Sequence, residues 1–462
     1  MIKRARVSLN RFRLGRIPRA VVSGALFAAL ALIVPACTST RSEIATLSGE
    51  PLIGQAPPQK QLNQPIQHVY VIFMENHTYD NYFLAYPNPT ALHPAPSTGL
   101  ARGGRIVTLV APTKDDWSPG DNSFSDAHTD YDGGLMDGFD QAAHQPSTGD
   151  RFFHADGTDG AYVSYGVTIA EGRTRLPYYW FLADQAVLSD NYFTSQMGQS
   201  FPNHLYLLGA TSGGCISNPD LSGNFDVLDS LGATSTANHL SAAQIPTALP
   251  VLLEASGLTW TVFQELDDTP ILSLPTNALL DLSASVKDID VIHQLPDFND
   301  RLIETKDLDT RLGHYLNAGW GGHVTFIKPN DFHTEHPAVG SITDGQKWVQ
   351  AIIGAIGQSP DWAHCAIIVT WDDYGGFYDH VAPAQVDGFG LGFRVPCLIV
   401  SPFVKKGLIQ HELREHSSIA KFCEKIFGLP SMTARDGSAS LDDLTSAFDV
   451  TQTPRPFSEF VQ

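Results

Sequence analysis

Four short and nearly continuous apolar runs constrain this chain more than any other feature: residues 69–74 (VYVIFM), 323–327 (HVTFI), 366–370 (AIIVT) and 395–400 (VPCLIV). They are rich in β-branched residues and lack the apolar–polar alternation of a half-exposed strand. That pattern predicts strands buried on both faces, as in a parallel sheet covered by helices. Helical spacing occurs at 178–186, 202–208, 347–357 and 417–427. The last is amphipathic, with Ser417 the predicted N-cap and Gly428 and Pro430 as stop signals. Strands alternating with helices predict an α/β domain with a mainly parallel sheet and helices on both faces, here over 65–450 with a short tail at 451–462. The Gly-, Asp- and Pro-rich stretch from about 84 to 175 reads as an insertion over the sheet. The mixed stretch 211–320 reads as a second one, forming a cap.

Residues 1–36 read as an export signal, in which Lys3, Arg4, Arg6, Arg11, Arg13, Arg16 and Arg19 precede a mostly apolar run from Ala20 to Ala36. The run meets Val34-Pro35-Ala36-Cys37, which is similar to a bacterial lipoprotein box with Cys37 as the lipidated residue. An uncleaved N-terminal anchor helix is the other reading. Residues 37–64, rich in Ser, Thr, Pro and Gln, suit a flexible tether. The expected location is outside the cytoplasm of a bacterium: periplasmic, on the envelope as a lipoprotein, or secreted. The export segment holds no acid, so 29 cations less seven leaves 22 against 49 acids, a formal net charge of −27. Such a surface repels nucleic acid but admits a small phosphate ester where a metal inverts the local potential. Cys215, Cys365, Cys397 and Cys423 are open to pairing or to burial as free thiols. No Cys-x-x-Cys occurs, which disfavours a cysteine-ligated zinc.

Chemistry follows the strands. VYVIFM runs into Glu75-Asn76, AIIVT into Trp371-Asp372-Asp373, and HVTFI leads within a short loop to Asp331, His333, Glu335 and His336. Ligands of open α/β sheets bind outside the carboxyl ends of strands, so these clusters are expected to converge on a divalent cation. Glu75-Asn76 alone also suits a strand end opening a turn. Asp372-Asp373 is more specific, because adjacent carboxylates after a buried strand repel each other unless a cation is near. Gly375-Gly376 allows a tight turn beside them. His380 reads as a ligand, a general acid or base, or a satisfied turn residue. Gly198 to Tyr206 (GQSFPNHLY) reads as a helix start with Ser200 at the cap. A hydroxyl there is either a cap or a nucleophile aimed at a phosphoryl group.

Several blocks together resemble a bacterial phosphoesterase family that contains acid phosphatases and phospholipases C, within the alkaline-phosphatase-like superfamily. They are Met74 to Phe83 (MENHTYDNYF), Ser200 to Tyr206 (SFPNHLY), Thr370 to Pro383 (TWDDYGGFYDHVAP), Arg394 to Gly407 (RVPCLIVSPFVKKG) and His416 to Pro430. The resemblance spans about residues 65–430 and implies an alkaline-phosphatase-like fold. Position by position, it implies a divalent metal held by Glu75, Asn76, Ser200, Asp372 and Asp373, with Ser200 also the nucleophile. It further implies His128 on the phosphoryl oxygens, Asn203 helping to hold the phosphate, and His333 and His336 on the leaving-group side. Two positions depart from the pattern: Asp373 stands where many relatives have Glu, and His204 where Arg is common.

The implied reaction is hydrolysis of a phosphate ester through a phosphoserine. The end of the chain soon after the core motifs favours an acid-phosphatase-like phosphomonoesterase, with a phospholipase C-type phosphodiesterase as the alternative. A lipoprotein that binds a phosphorylated ligand without turnover is the reading from another class. A sulfatase is disfavoured, because Ser200-Phe201-Pro202-Asn203-His204 lacks the Arg of a Cys/Ser-x-Pro-x-Arg stretch.

Overall fold

The four apolar runs do form strands, and they lie side by side at the centre of one sheet. The computed structural model of the chain describes residues 55–119, 122–142, 160–267 and 281–462. The export segment, Cys37 and the start of the tether lie outside the described residues. Among the described residues, eight strands build the main sheet: β1 (His68–Met74), β2 (Val187–Ser189), β3 (Trp260–Glu265), β4 (Leu302–Thr305), β5 (Val324–Lys328), β6 (Cys365–Trp371), β7 (Cys397–Val400) and β8 (Leu408–Gln410). Their order is β8-β2-β7-β6-β1-β5-β3-β4. Every pair is parallel except the two made by β7, which runs against both β6 and β2. Val69 to Met74 and all of β6 are fully buried, as strands covered on both faces require.

Helices surround this sheet. Those that matter for the site are α1 (Tyr79–Phe83), α2 (Phe124–Tyr131), α3 (Pro177–Gln185), α4 (Ser200–Gly209), α5 (Ile342–Gln358) and α6 (His416–Phe427). α6 packs against α4. It stops at Gly428 in the left-handed region, φ 68°, as expected for a glycine C-cap.

Several local expectations are corrected. Glu415, not Ser417, caps α6, because its carboxylate reaches the first-turn N–H groups while Ser418 reaches back, forming a capping box. Ser200 is the first residue of α4 and Gln199 is the N-cap, so the serine side chain is left free to face the sheet. The stretch 211–320 is not only an insertion, since it supplies β3 and β4 to the main sheet. The four cysteines within the described residues are buried free thiols. Among the described residues, no helix is long and apolar enough to cross a membrane.

Candidate active site

Register assembles the site. Met74 is opposite Trp371 across β1 and β6, so Glu75-Asn76 and Asp372-Asp373 leave the sheet as neighbours. On the other side of β1, Ile72 is opposite Ile327, so Lys328 reaches the same edge. α4 then brings Ser200 over these ends. The turn after Asp373 can approach this closely only without a side chain. Gly375 has φ 62°, and a Cβ there would stand 2.2 Å from the Asn76 carbonyl oxygen.

Ser200, Glu75, Asn76, Asp372 and Asp373 are all buried and in mutual contact. The Ser200 hydroxyl has one proton and two carboxylate oxygens to give it to, Asp373 Oδ2 at 3.0 Å and Glu75 Oε2 at 3.2 Å. The Asn76 amide donates to Ser200 Oγ at 3.1 Å and to Asp372 Oδ1 at 3.2 Å. Asp373 Oδ1 accepts from the Asn122 amide and from the Gly375 N–H, 2.8 and 2.7 Å. The imidazole of His416 donates to the Asp372 carbonyl at 2.9 Å, fixing the backbone between the two aspartates.

Three carboxylates this deep are an electrostatic problem. Burial first, then Asp372, raises Glu75; burial raises Asp372; burial, Asp372 and Glu75 push Asp373 well above the usual carboxylate range. Lys328 relieves part of it, with Nζ 2.5 Å from Glu75 Oε1 and 3.8 Å from Asp372 Oδ2. His204 donates from Nε2 to Asp372 Oδ2 at 3.2 Å and is neutral, since burial and then Lys328 lower its pKa to about 3. One lysine against three carboxylates leaves two formal negative charges, which a divalent cation would cancel.

The residues fit such an ion. Ligand atoms of Glu75, His204 and Asp372 lie within 4.8 Å of one another. The Asn76 Oδ1 is a buried acceptor without a hydrogen-bond partner. Exchanging the two ends of that amide would turn this oxygen toward Ser200 and Asp372. Oxygen donors with a single imidazole suit Mg²⁺, Mn²⁺, Ca²⁺ or Zn²⁺ rather than a thiophilic metal.

Other predicted residues are held elsewhere. His336 is half-buried, with its ring Nδ1 2.9 Å from the Pro337 carbonyl. His333 instead bonds Glu265 at the end of β3, Nδ1 to Oε2 2.8 Å. Asn203 has no free valence toward the cluster. Its oxygen accepts the N–H groups of Ser195 and Gln196, and its amide donates to the carbonyls of Gln196 and Gln199, so it shapes the loop before Ser200. His128 is exposed on α2, its Nδ1 donating to the Phe124 carbonyl at 2.7 Å. α2 is moored to the site by Tyr374, whose hydroxyl donates to Asp130 at 2.8 Å. His380 belongs to a second cluster with Asp80, Asp379 and Arg394, where the guanidinium donates to both aspartates and His380 Nδ1 lies 2.6 Å from Asp80. Arg394 supplies the cation there, so that cluster reads as a buried ion-pair network.

Sequence reasoning missed Lys328 and the contact of His204 with Asp372. A lysine that directly extends the apolar run HVTFI was a usable signal, because a solvated lysine has no cause to sit at a buried strand end. His204 carried one as well: it lies one helical turn after Ser200, on the same face of α4.

The serine hydroxyl among buried carboxylates lies at the carboxyl edge of a mostly parallel sheet, where α/β folds bind ligands, and the chain's relatives define the class as a phosphoric ester hydrolase. The chain belongs to the Phosphoesterase family, whose pattern it matches over residues 66–430. It is similar to phospholipase C B of Mycobacterium tuberculosis (strain ATCC 25618 / H37Rv), 26% identical over 479 residues that cover 91% of this chain and 85% of that protein. It is also similar to the hemolytic phospholipase C of Pseudomonas aeruginosa, 26% identical over 431 residues, 84% of this chain and 56% of the relative. Among solved structures, a protein in the alkaline phosphatase superfamily from Vibrio parahaemolyticus aligns with a TM-score of 0.35 and 11% identity, over 58% of this chain and 63% of that one. The α/β architecture itself rests on the sheet order given above.

Proposed function

We propose that this hydrolase cleaves phosphodiesters of the phospholipid type by a covalent route through Ser200, with a divalent metal held by Glu75, Asn76, Ser200, Asp372 and Asp373. The observation that carries the reading is the Ser200 hydroxyl itself, buried and shared between two carboxylate oxygens at 3.0 and 3.2 Å. Ser200 Oγ attacks phosphorus as its proton passes to Asp373 or Glu75. The leaving oxygen takes a proton from His336 as its bond to phosphorus breaks. Water then forms the new bond to phosphorus, His336 takes the proton of that water, and Ser200 Oγ leaves and is reprotonated. A divalent cation in this site would lower the pKa of the serine hydroxyl and offset charge on the phosphoryl oxygens. The start of α4 adds the positive end of its helix dipole.

Of the two histidines expected on the leaving-group side, His336 takes that role and His333 supports its loop through Glu265. His128 faces incoming phosphoryl oxygens from α2. Asn203 keeps the Ser195–Gln199 backbone in place rather than touching phosphate. Similarity to phospholipases C, among them a mycobacterial one covered over 85% of its length at 26% identity, supports the phosphodiester. Hydrolysis of phosphatidylcholine compared with p-nitrophenyl phosphate tests this; clear preference for the monoester would return the acid-phosphatase reading. Export and anchoring through Cys37 complete the proposal. Radiolabelled palmitate should enter the wild-type chain and not Cys37→Ser.

A further inference from the structure

Glu335 is fully buried one residue before His336, in the left-handed region at φ 70°. A β-carbon makes that conformation unfavourable, so something must hold it there. Its carboxylate accepts three side-chain hydrogen bonds from three different elements: the Tyr82 hydroxyl of α1 (2.6 Å), the Tyr179 hydroxyl of α3 (2.5 Å) and the Trp371 indole N–H at the end of β6 (3.0 Å). Its carbonyl accepts from His77 Nε2 at 3.0 Å, and the carbonyl of the preceding Thr334 accepts from the Glu75 N–H at 2.9 Å. α5 leaves room for it, since a Cβ at Gly345 would fall 2.2 Å from the Glu335 Cγ.

These contacts have one geometric consequence. The loop that carries His336 is pinned to the residue before Asp372 on one side and to Glu75 itself on the other. We infer that Glu335 is a positioning residue, which locks the His336 imidazole against the leaving oxygen by tying its loop to the ends of β1 and β6. The inference rests on the assignment of His336 as the acid in the reading above. Glu335 does not touch substrate; it acts through its neighbour.

The test uses the full chain with Mg²⁺, Mn²⁺ or Zn²⁺ supplied and a series of aryl phosphodiesters graded from p-nitrophenyl to phenyl as the leaving group. A good leaving group needs no proton, whereas a poor one does, so loss of a placed acid grows along the series. His336→Ala and Glu335→Gln should both lose about 10²-fold in kcat/KM, which reports the step that expels the leaving group, on the phenyl ester and far less on the p-nitrophenyl ester, with bound metal unchanged. Tyr179→Phe removes one donor while preserving shape and should give the same graded loss at about 10-fold, which keeps the test available if Glu335→Gln folds poorly. A flat loss, or none, in both Glu335→Gln and Tyr179→Phe beside a graded loss in His336→Ala overturns the inference alone. A flat response in His336→Ala overturns the acid assignment, and the inference with it.

Discussion

The hydroxyl of Ser200 lies 3.0 Å from Asp373 Oδ2, although 173 positions separate the two residues in sequence. One residue starts a helix and the other follows a buried strand. Only the packing of α4 over the carboxyl edge of the sheet makes them partners. Replacing Ser200 by Ala removes the proposed nucleophile and leaves the carboxylates in place. Turnover should fall by at least about 10³-fold, with metal content near wild type, as phosphate release and elemental analysis will measure.

Lys328 has a different task. It is the buried cation that faces Glu75 and Asp372, and no solvent reaches it. Lys328→Met leaves those carboxylates without it, a loss of about 3–5 kcal/mol for breaking a buried pair. Denaturant titration in chelator should report that deficit, and a saturating divalent cation should recover part of it. An unchanged unfolding midpoint would mean that Lys328 contributes no net stability.

Asp373 presents the opposite case. Burial and two neighbouring carboxylates disfavour its charge, so the chain tolerates it at a cost in stability. Asp373→Asn should therefore raise Tm in chelator by about 2–4 °C, the shift expected for roughly 1 kcal/mol. The same change should abolish turnover and weaken metal binding. Calorimetry with and without metal separates the two effects.

The pH dependence of stability follows from Glu335. Burial raises its folded-state pKa from 4.5 to about 8, with the bonds from Tyr179, Tyr82 and Trp371 opposing. Between these values the folded chain holds a proton that the unfolded chain has released. The contribution is therefore fully present below pH 4.5 and is lost as pH rises through about 8. The metal-free protein should lose stability from pH 5 to pH 8.5, and Glu335→Gln should flatten that slope. Urea midpoints at a series of pH values will show whether it does.

Much of this was legible in the sequence, for a physical reason. A strand buried on both faces must be apolar at every position, so VYVIFM and AIIVT declare themselves without any partner being known. The residues following such strands fall on the edge where ligands bind, and the motif blocks around Glu75, Ser200 and Asp372 point to phosphoester chemistry. Helix stops are similarly local: Gly428 adopts the conformation that ended α6 on paper.

Tertiary structure decided what depends on pairing at long range. WTVFQE at β3 and the three-residue strands β2 and β8 are too short or too mixed to stand out, and sheet neighbours define them. Whether a histidine is acid, support or ion-pair partner was equally hidden. His333 and His336 share one loop, yet the first bonds Glu265 and the second the Pro337 carbonyl. His380 reads like a ligand in sequence, and Arg394 claims its carboxylate partners. Sequence determined which residues could do the chemistry, because residue type and strand period are local properties. Only the fold decided which of them meet, because desolvation and charge are set by neighbours that lie hundreds of residues away along the chain.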